Sequence, residues 1–328
     1  MRHVPTNSSH SPGLAVKAFR QEGLVSLRQC LQFGLSRQQA SESVNRGDWR
    51  RVTPGVYDLS RLVSLVDRHE LDRRRRQAAL LGGLVHPGAV ITGVCALVLY
   101  DLQGAPPSIE PEVTFPNGTP RRSTAVRVRR VPLERWVATG DISLATMTDA
   151  FAQAVPTLGR RHAVALMDSA RHQGRLAEAE LQQAHVRALT RRGVRRTHTW
   201  WDESDPRAES PAETWARLAC NDAGIPPDTL QLRILSPDGR LLARTDLAWL
   251  LPDGRWLLVE IDGREAHDAP AALFHDRTRQ NSILTDRTLM RRFTGQEAWT
   301  GTLSNELSTL LGAAGWRPSR PCPHLLQL

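Results

Sequence analysis

The sequence predicts a multidomain α/β protein. An N-terminal helical module closed by a hairpin comes first, then an α+β middle region, then a C-terminal core of order αβββαβ. Three observations carry this. Serines stand where short helices begin in the first 60 residues, ahead of two β-like runs. Two apolar runs, 241–251 and 255–261, flank Pro252-Asp253-Gly254, the mark of a β-hairpin. A chain of 328 residues is also too long for one ordinary domain.

Residues 1–12 are polar and contain Ser and Pro, so they read as a disordered tail. Residues 14–21 pattern as a short helix, and Ser26 caps a second over 27–33. Gly34-Leu35 turns the chain. Ser36 caps a third helix over 37–46, with Gln39 completing a capping box. Gly47 ends it, and residues 49–52 and 56–59 run β-like on either side of Pro54-Gly55. Three short helices and a hairpin make a winged helix-turn-helix over 13–60. Its third helix carries Arg37, Gln38, Gln39 and Arg46, with Arg50 and Arg51 on the wing. These residue types reach base edges and phosphates. The other reading is the solvated polar face of a small helical interaction module.

The middle region, 61–195, is a mixture of helix and strand. Asp72 and the run Arg73–Arg76 lie in a helical stretch ending at Gly82-Gly83, and four consecutive arginines spread around a helix turn as a solvated or phosphate-facing surface. Residues 90–100 read as a buried helix, 112–116 and 125–131 alternate as strands, and 149–155, 160–172 and 176–192 are helical. Asp168, His162 and His172 read as satisfied surface residues. The charged, irregular stretch 196–209 reads as a linker, 210–316 as the C-terminal domain and 317–328 as a tail.

In the C-terminal domain Ser210 caps a helix with Pro211 at its first position, and this helix carries Glu213. The hairpin follows. If its turn centres on Asp253, cross-strand partners have numbers summing to 506, which puts Asp246 beside Glu260. Asp262 shares the face of Glu260, because the side-chain period of a strand is two. Like charges directly opposite each other destabilise a sheet, and desolvating them costs more. A divalent cation such as Mg²⁺ removes both objections by taking carboxylate oxygens as ligands. An acidic, solvated strand end balanced by an arginine such as Arg244 is the other reading of these residues. His267 follows the hairpin. Residues 275–281 then begin a helical pattern that sets Asp276, Arg279 and Gln280 on neighbouring positions. A strand over 288–294 and a helix over 296–311 complete the order.

Glu213, Asp246, Glu260-Ile261-Asp262-Gly263, His267, the run from Asp276 to Asn281, and Arg292-Phe293-Thr294 together resemble the PD-(D/E)XK nuclease superfamily, in the branch related to very-short-patch-repair endonucleases. The resemblance covers about 208–315 and implies a restriction-endonuclease-like core. It implies that Asp246 and Glu260 hold Mg²⁺ or Mn²⁺, that Glu213 supports the site, and that the reaction is Mg²⁺-dependent hydrolysis of DNA phosphodiesters. The family usually places a lysine two residues after the second acid. Here that position is Asp262. His267, whose ordinary pKa suits a general base, and Gln280, which could orient water, are the candidates for the missing function. Asp262 would add a metal ligand or hold His267 in one tautomer. Residues 20–60, with Gly34-Leu35-Ser36, Gly47-Asp48-Trp49-Arg50-Arg51-Val52 and Pro54-Gly55-Val56-Tyr57, resemble the N-terminal domain of AbiEi-type antitoxins. Ile91-Thr92-Gly93 with Ala96 and Leu97 resembles the region that follows it in such proteins. These resemblances imply a DNA endonuclease, or a DNA-binding regulator or antitoxin-like protein whose nuclease fold is silent.

Composition bounds the partners. The chain has 43 Lys and Arg against 34 Asp and Glu, a net charge of +9, and 42 of the 43 basic residues are arginine because Lys17 is the only lysine. The arginine bias is compositional, but the excess of base over acid favours a polyanion, so DNA is the expected partner, with a toxin-like protein or a second copy of the chain beside it. Cys30, Cys95, Cys220 and Cys322 have no metal or redox spacing and read as thiols in a reducing cytoplasm. No apolar run is long enough to span a bilayer, so no membrane partner is expected.

Overall fold

Two mixed α/β units divide the chain, one formed by Met1–Thr157 with Gln183–Arg195 and the other by Leu158–Gln182 with Arg196–Leu328. The computed structural model describes residues 12–262, 286–318 and 323–327. The expected disordered tail therefore falls almost wholly outside the described residues, as do His267, Asp276, Arg279, Gln280 and Cys322.

The first unit opens with α1 (Pro12–Arg20), β1 (Leu24–Ser26), α2 (Leu27–Gln32), α3 (Arg37–Asn45), β2 (Arg50–Thr53) and β3 (Val56–Asp58). Both helices α2 and α3 start in full capping boxes. The Ser36 hydroxyl accepts from Gln39 N at 3.1 Å, and the Gln39 side chain accepts from Ser36 N at 2.7 Å. Ser26 and Gln29 repeat the arrangement. The three strands pair in the order β1-β3-β2. The first of them was not foreseen, because three residues are too few to display alternation. Its residues Leu24, Val25 and Ser26 are all buried, and Trp49 packs on Tyr57 of β3 at 5.5 Å between ring centres.

The unit continues through α4 (Glu70–Val85), β4 (Val90–Ile91), α5 (Gly93–Leu99), β5 (Glu112–Thr114), β6 (Arg127–Arg129), β7 (Trp136–Thr139), β8 (Ile142–Ala145) and α6 (Met147–Ala154), with sheet order β6-β5-β4-β8-β7. Gly82-Gly83 does not end α4. A Cβ on Gly82 would lie 2.5 Å from Val113 Cγ1, so that glycine permits close packing of the helix on the sheet rather than a stop. The arginine run also differs from its expected surface role. Arg76 reaches Glu22 at 2.9 Å and Asp101 at 2.5 Å, and Arg75 donates to Pro106 O at 2.8 Å, so two of the four tie the unit together.

The second unit comprises α7 (Arg160–His172), the first part of α8 (Glu178–Ala188), α9 (His198–Asp202), α10 (Pro211–Asp222), β9 (Thr229–Leu235), β10 (Leu241–Leu250), β11 (Trp256–Asp262), β12 (Thr288–Thr294), α11 (Gly295–Thr300), α12 (Thr302–Ala313) and β13 (Leu325–Gln327). Its sheet runs β12-β11-β10-β9-β13, with β11 parallel to β12 and β13 parallel to β9. Both faces are covered. Leu247, Trp249, Leu257 and Val259 pack toward Ala216 and Cys220 of α10, whereas Ala248, Trp256 and Leu258 pack on the other side with Leu232 and Ile234. Double coverage explains the nearly unbroken apolar run of β11.

Three boundary expectations are corrected here. The stretch expected as a linker contains α9, whose Trp201 is 1% exposed. The expected tail supplies β13, with Leu326 buried against β9. Helix α7, assigned to the middle region, belongs to the second unit, and its Asp168 is not a surface residue. Asp168 is 1% exposed and binds Arg217 of α10 at 2.8 Å, Thr214 Oγ1 at 2.8 Å and Asp205 N at 2.7 Å. Cys30, Cys95 and Cys220 are buried free thiols. Among the described residues no helix is long and apolar enough to cross a membrane.

Candidate functional site

The hairpin register is the one the turn requires. Leu247 faces Val259, Trp249 faces Leu257 and Leu250 faces Trp256, each pair summing to 506. One step further along the ladder, Asp246 reaches Glu260. There the regular pairing stops and side chains take over. Asp246 Oδ2 accepts from Ile261 N at 2.8 Å, and Thr245 Oγ1 donates to Val259 O at 3.0 Å. The acid is thereby pinned to the main chain of β11 beside Glu260.

On the other side of β10 lies β9, where Leu232 pairs with Thr245 and Leu230 with Leu247, which sets Gln231 beside Asp246. Gln231 has φ +55°, a left-handed conformation inside a central strand. Such a residue stores about 1–3 kcal/mol of strain and persists only where its surroundings over-determine it. Its Nε2 donates to Glu213 Oε2 at 2.9 Å. Its Oε1 is buried without a hydrogen-bond partner among the described residues. Glu213 sits in the first turn of α10, where the Ser210 cap accepts from its N–H at 3.2 Å, and its carboxylate also accepts from Glu209 N at 2.9 Å.

Asp246 therefore lies between two other carboxylates, Glu213 of α10, which shares the Gln231 amide with it, and Glu260 of β11. Burial, and then the negative charge of Glu213, push Asp246 up to about 7, with Glu260 adding to the rise and the Ile261 and Gln231 hydrogen bonds opposing it. Burial also raises Glu213, against the hydrogen bonds of Glu209, Ser210 and Gln231. At neutral pH the cluster thus resists full ionisation and would gain from a proton or a cation. Glu260 is anchored from the far side. It lies in register with Arg292 of β12, whose Nη2 is 2.9 Å from Glu260 Oε2. Asp262 is in register with Thr294, which caps α11 in a box with Glu297.

The structure brings together Glu213, Asp246 and Glu260 of the expected residues, with Asp262 two positions further along β11. Arg244, the arginine offered by the sequence as a counter-charge, binds Glu209 at 2.5 Å. Sequence reasoning missed Gln231, since nothing in its alternating strand marks a left-handed residue. It also left Arg292 without a role, because the link to Glu260 exists only through the parallel register.

In the first unit, Arg37 and Gln38 are exposed on α3, and Gln38 donates to Glu42 Oε1 at 3.0 Å. Arg51 is exposed on β2. Arg46 and Arg50 are held by acids of their own module, Asp48 at 2.9 Å and Asp58 at 2.7 Å.

Hard cations of the Mg²⁺ class bind through one or two carboxylates and complete their shell with water. Asp246 and Glu260, with the orphaned Gln231 oxygen alongside, fit that donor chemistry. Among the described residues no three His, Cys, Asp or Glu side chains form a closed metal-binding group, which a two-carboxylate site does not need.

No protein-family model matches the chain. Two relatives from Mycobacterium tuberculosis do match. The uncharacterized protein MT2308 of strain CDC 1551 / Oshkosh is 30% identical over 249 residues, covering 75% of this chain and 85% of the relative. The uncharacterized protein Rv2248 of strain ATCC 25618 / H37Rv matches with the same identity and coverage.

Proposed function

The chain belongs to the family of these two mycobacterial proteins, and we propose that it is a DNA-associated protein whose second unit is a Mg²⁺-dependent endonuclease of the PD-(D/E)XK type. The observation that carries the reading is the meeting of Asp246 and Glu260 at the end of the hairpin ladder, with Glu213 and the strained Gln231 behind them. The order α10, β9, β10, β11, β12, α11 is compatible with the superfamily core. In this reading Asp246 and Glu260 hold Mg²⁺ or Mn²⁺. The ion supplies Lewis acidity toward a phosphodiester and activation of water. Glu213 and Gln231 fix the orientation of Asp246, and Arg292 fixes Glu260. The three helices and the three-stranded sheet of residues 12–58 support a winged helix-turn-helix that brings DNA to the protein, with Arg37, Gln38 and Arg51 facing solvent. The general base, His267, or the water-orienting Gln280, remains the assignment made from sequence.

The test is incubation of purified protein with supercoiled plasmid and with single-stranded DNA, in Mg²⁺, Mn²⁺ or EDTA, alongside Glu260→Gln. Nicking that needs the divalent ion and disappears in the variant is the expected result. Undiminished cleavage by Glu260→Gln would sink the site assignment.

A second reading has its own observation. Lys17 is the only lysine, Asp262 occupies the position where the family carries lysine, and Arg292 stays protonated, so it cannot act as a base. This favours a transcriptional regulator or antitoxin-like protein with a silent nuclease fold. DNA binding without calorimetric Mn²⁺ binding would select it.

A further inference from the structure

The positive excess of this chain belongs to one unit alone. Met1–Thr157 with Gln183–Arg195 holds 24 Lys and Arg against 13 Asp and Glu, a net +11, whereas the remainder holds 19 against 21, a net −2. Most acids of the basic unit are already engaged. Glu22 binds Arg76 and Arg68, Asp58 binds Arg50, Glu112 binds Arg129, and Asp149 binds Arg187. Part of the charge they leave uncompensated is gathered on one edge of the fold.

That place is the β6 edge. Between positions 121 and 135 the sequence carries six arginines against a single acid, Glu134. Strand β6 is an outer strand of the five-stranded sheet, in register with β5 so that Arg127 meets Glu112 and Arg129 meets Thr114. The next step sets Arg130 beside Phe115, and the guanidinium of Arg121 lies 4.3 Å from the centre of the Phe115 ring. Arg121 and Arg130 thus meet on the Phe115 face at one end of the strand, with Arg122 next to Arg121 in the chain, and Arg127 stands about 10 Å along the same edge on the other face. All four are exposed. Only Arg127 faces an acid among the described residues, Glu110 at 3.6 Å. Arg129, by contrast, turns inward to Glu112 at 2.6 Å.

A single charge is enough to keep an edge strand from pairing with another chain. Four exposed arginines gathered on one edge exceed that need and repel one another. Neighbouring groups register the field. Burial and then the charge of Arg121 hold His86 below its ordinary value, and burial and then the charge of Arg129 lower Arg191. A polyanion laid along the edge would relieve the repulsion. Planar guanidinium groups match phosphate oxygens in bidentate fashion.

We propose that the β6 edge, through Arg121, Arg122, Arg127 and Arg130, is a second DNA-binding surface of the first unit, gripping the phosphate backbone of duplex DNA without reading sequence. It lies apart in the chain from the α3 and β2 arginines, and it rests on the proposed DNA association only for the choice of polyanion. Contacts of this kind position a protein on DNA and make its affinity steeply salt-dependent.

The experiment uses the full chain in EDTA, with fluorescence anisotropy on a labelled duplex of random sequence across a salt series. Each lost phosphate contact lowers the slope of log affinity against log salt by about 0.9. The triple variant Arg122→Gln/Arg127→Gln/Arg130→Gln should therefore lose about 2–3 units of slope, equally on every sequence. The matching triple arginine-to-lysine variant should keep most of the slope, which a purely structural role would not produce. Should the glutamine triple not fold, the single variants Arg122→Gln and Arg130→Gln carry the test, each expected to lose about 0.9 of the slope, and a wild-type slope in both overturns the proposal. A glutamine triple with the wild-type slope overturns the proposal, as does a loss confined to an RNA hairpin with duplex DNA binding intact. Failure of the wild-type chain to bind any DNA would instead overturn the DNA association itself.

Discussion

The two units handle their inward-facing acids differently. In the first, the buried acids Glu22, Asp58 and Glu112 each meet an arginine, Arg76, Arg50 and Arg129, while other arginines face solvent. In the second, acids also crowd one another. Glu213 and Glu260 crowd Asp246 at the end of a hairpin, and Asp168 is sealed beneath α10 with Arg217. The difference teaches that a charge matters through its surroundings rather than its number. An exposed ion pair is worth about 0–1 kcal/mol, whereas a buried carboxylate that loses its partner costs several.

If that contrast is right, removing one partner should hurt most where the pair is most buried. Asp168→Ala leaves the Arg217 guanidinium uncompensated and strips partners from Thr214 and Asp205 N, so urea denaturation should register a loss of about 3–5 kcal/mol. A loss below about 1 kcal/mol would break the comparison at its strongest point.

The acid cluster should answer next, and through pH. Asp246 has a folded-state pKa of about 7, above its unfolded value of 3.8. The folded protein holds that proton longer, so the stability it contributes is fully present below the unfolded value and is lost as pH rises through about 7. Without divalent cation, melting temperature should fall between pH 5 and pH 8 by an amount equivalent to a few kcal/mol at most. Asp246→Asn should flatten that dependence and melt above the wild type at pH 8. Added Mn²⁺ should stabilise the wild type more at pH 8 than at pH 5. A variant that melts lower than wild type at pH 8 would contradict the electrostatic account.

Arg292→Ala sharpens the comparison at the site itself, because it releases Glu260 without removing an acid. Losing a group that orients a ligand costs about 10–100-fold in metal affinity or activity. Calorimetric Mn²⁺ affinity and nicking rate should both fall within that range, and Arg292→Lys should recover part of each. In the first unit the smallest effect is expected. Arg74 pairs with Glu70 one helical turn away on an exposed face. Arg74→Ala should change stability by less than about 0.5 kcal/mol, as chemical denaturation would measure.

Much of the candidate site could be read from the residues because it follows from local geometry. A turn at Asp253 and a side-chain period of two are enough to put Asp246 beside Glu260, and the structure keeps that register. The Ser36 and Gln39 capping box was legible for the same reason, since it spans a single helical turn. Gln231 was not legible, because its partner Glu213 arrives from a helix distant in sequence and no residue pattern marks a left-handed strand position. Trp201 and Leu326 were mistaken for linker and tail, since their short apolar stretches acquire meaning only from the surfaces that bury them. The glycines at 82 and 83 looked like a helix stop, and only the proximity of Val113 to Gly82 and of Ile91 to Gly83 reveals them as a contact surface.

By itself the sequence determined the alternating strands, the capped helices, the hairpin register and the excess of arginine, all of which depend on neighbours a few residues apart. The tertiary structure alone decided that Arg292 meets Glu260 through a parallel register, that Arg244 turns to Glu209, and that the net charge separates into +11 and −2. The physical reason is range. Backbone period and capping act over one turn of helix or one step of strand, whereas burial and charge coupling depend on which distant segments the fold brings within a few ångströms.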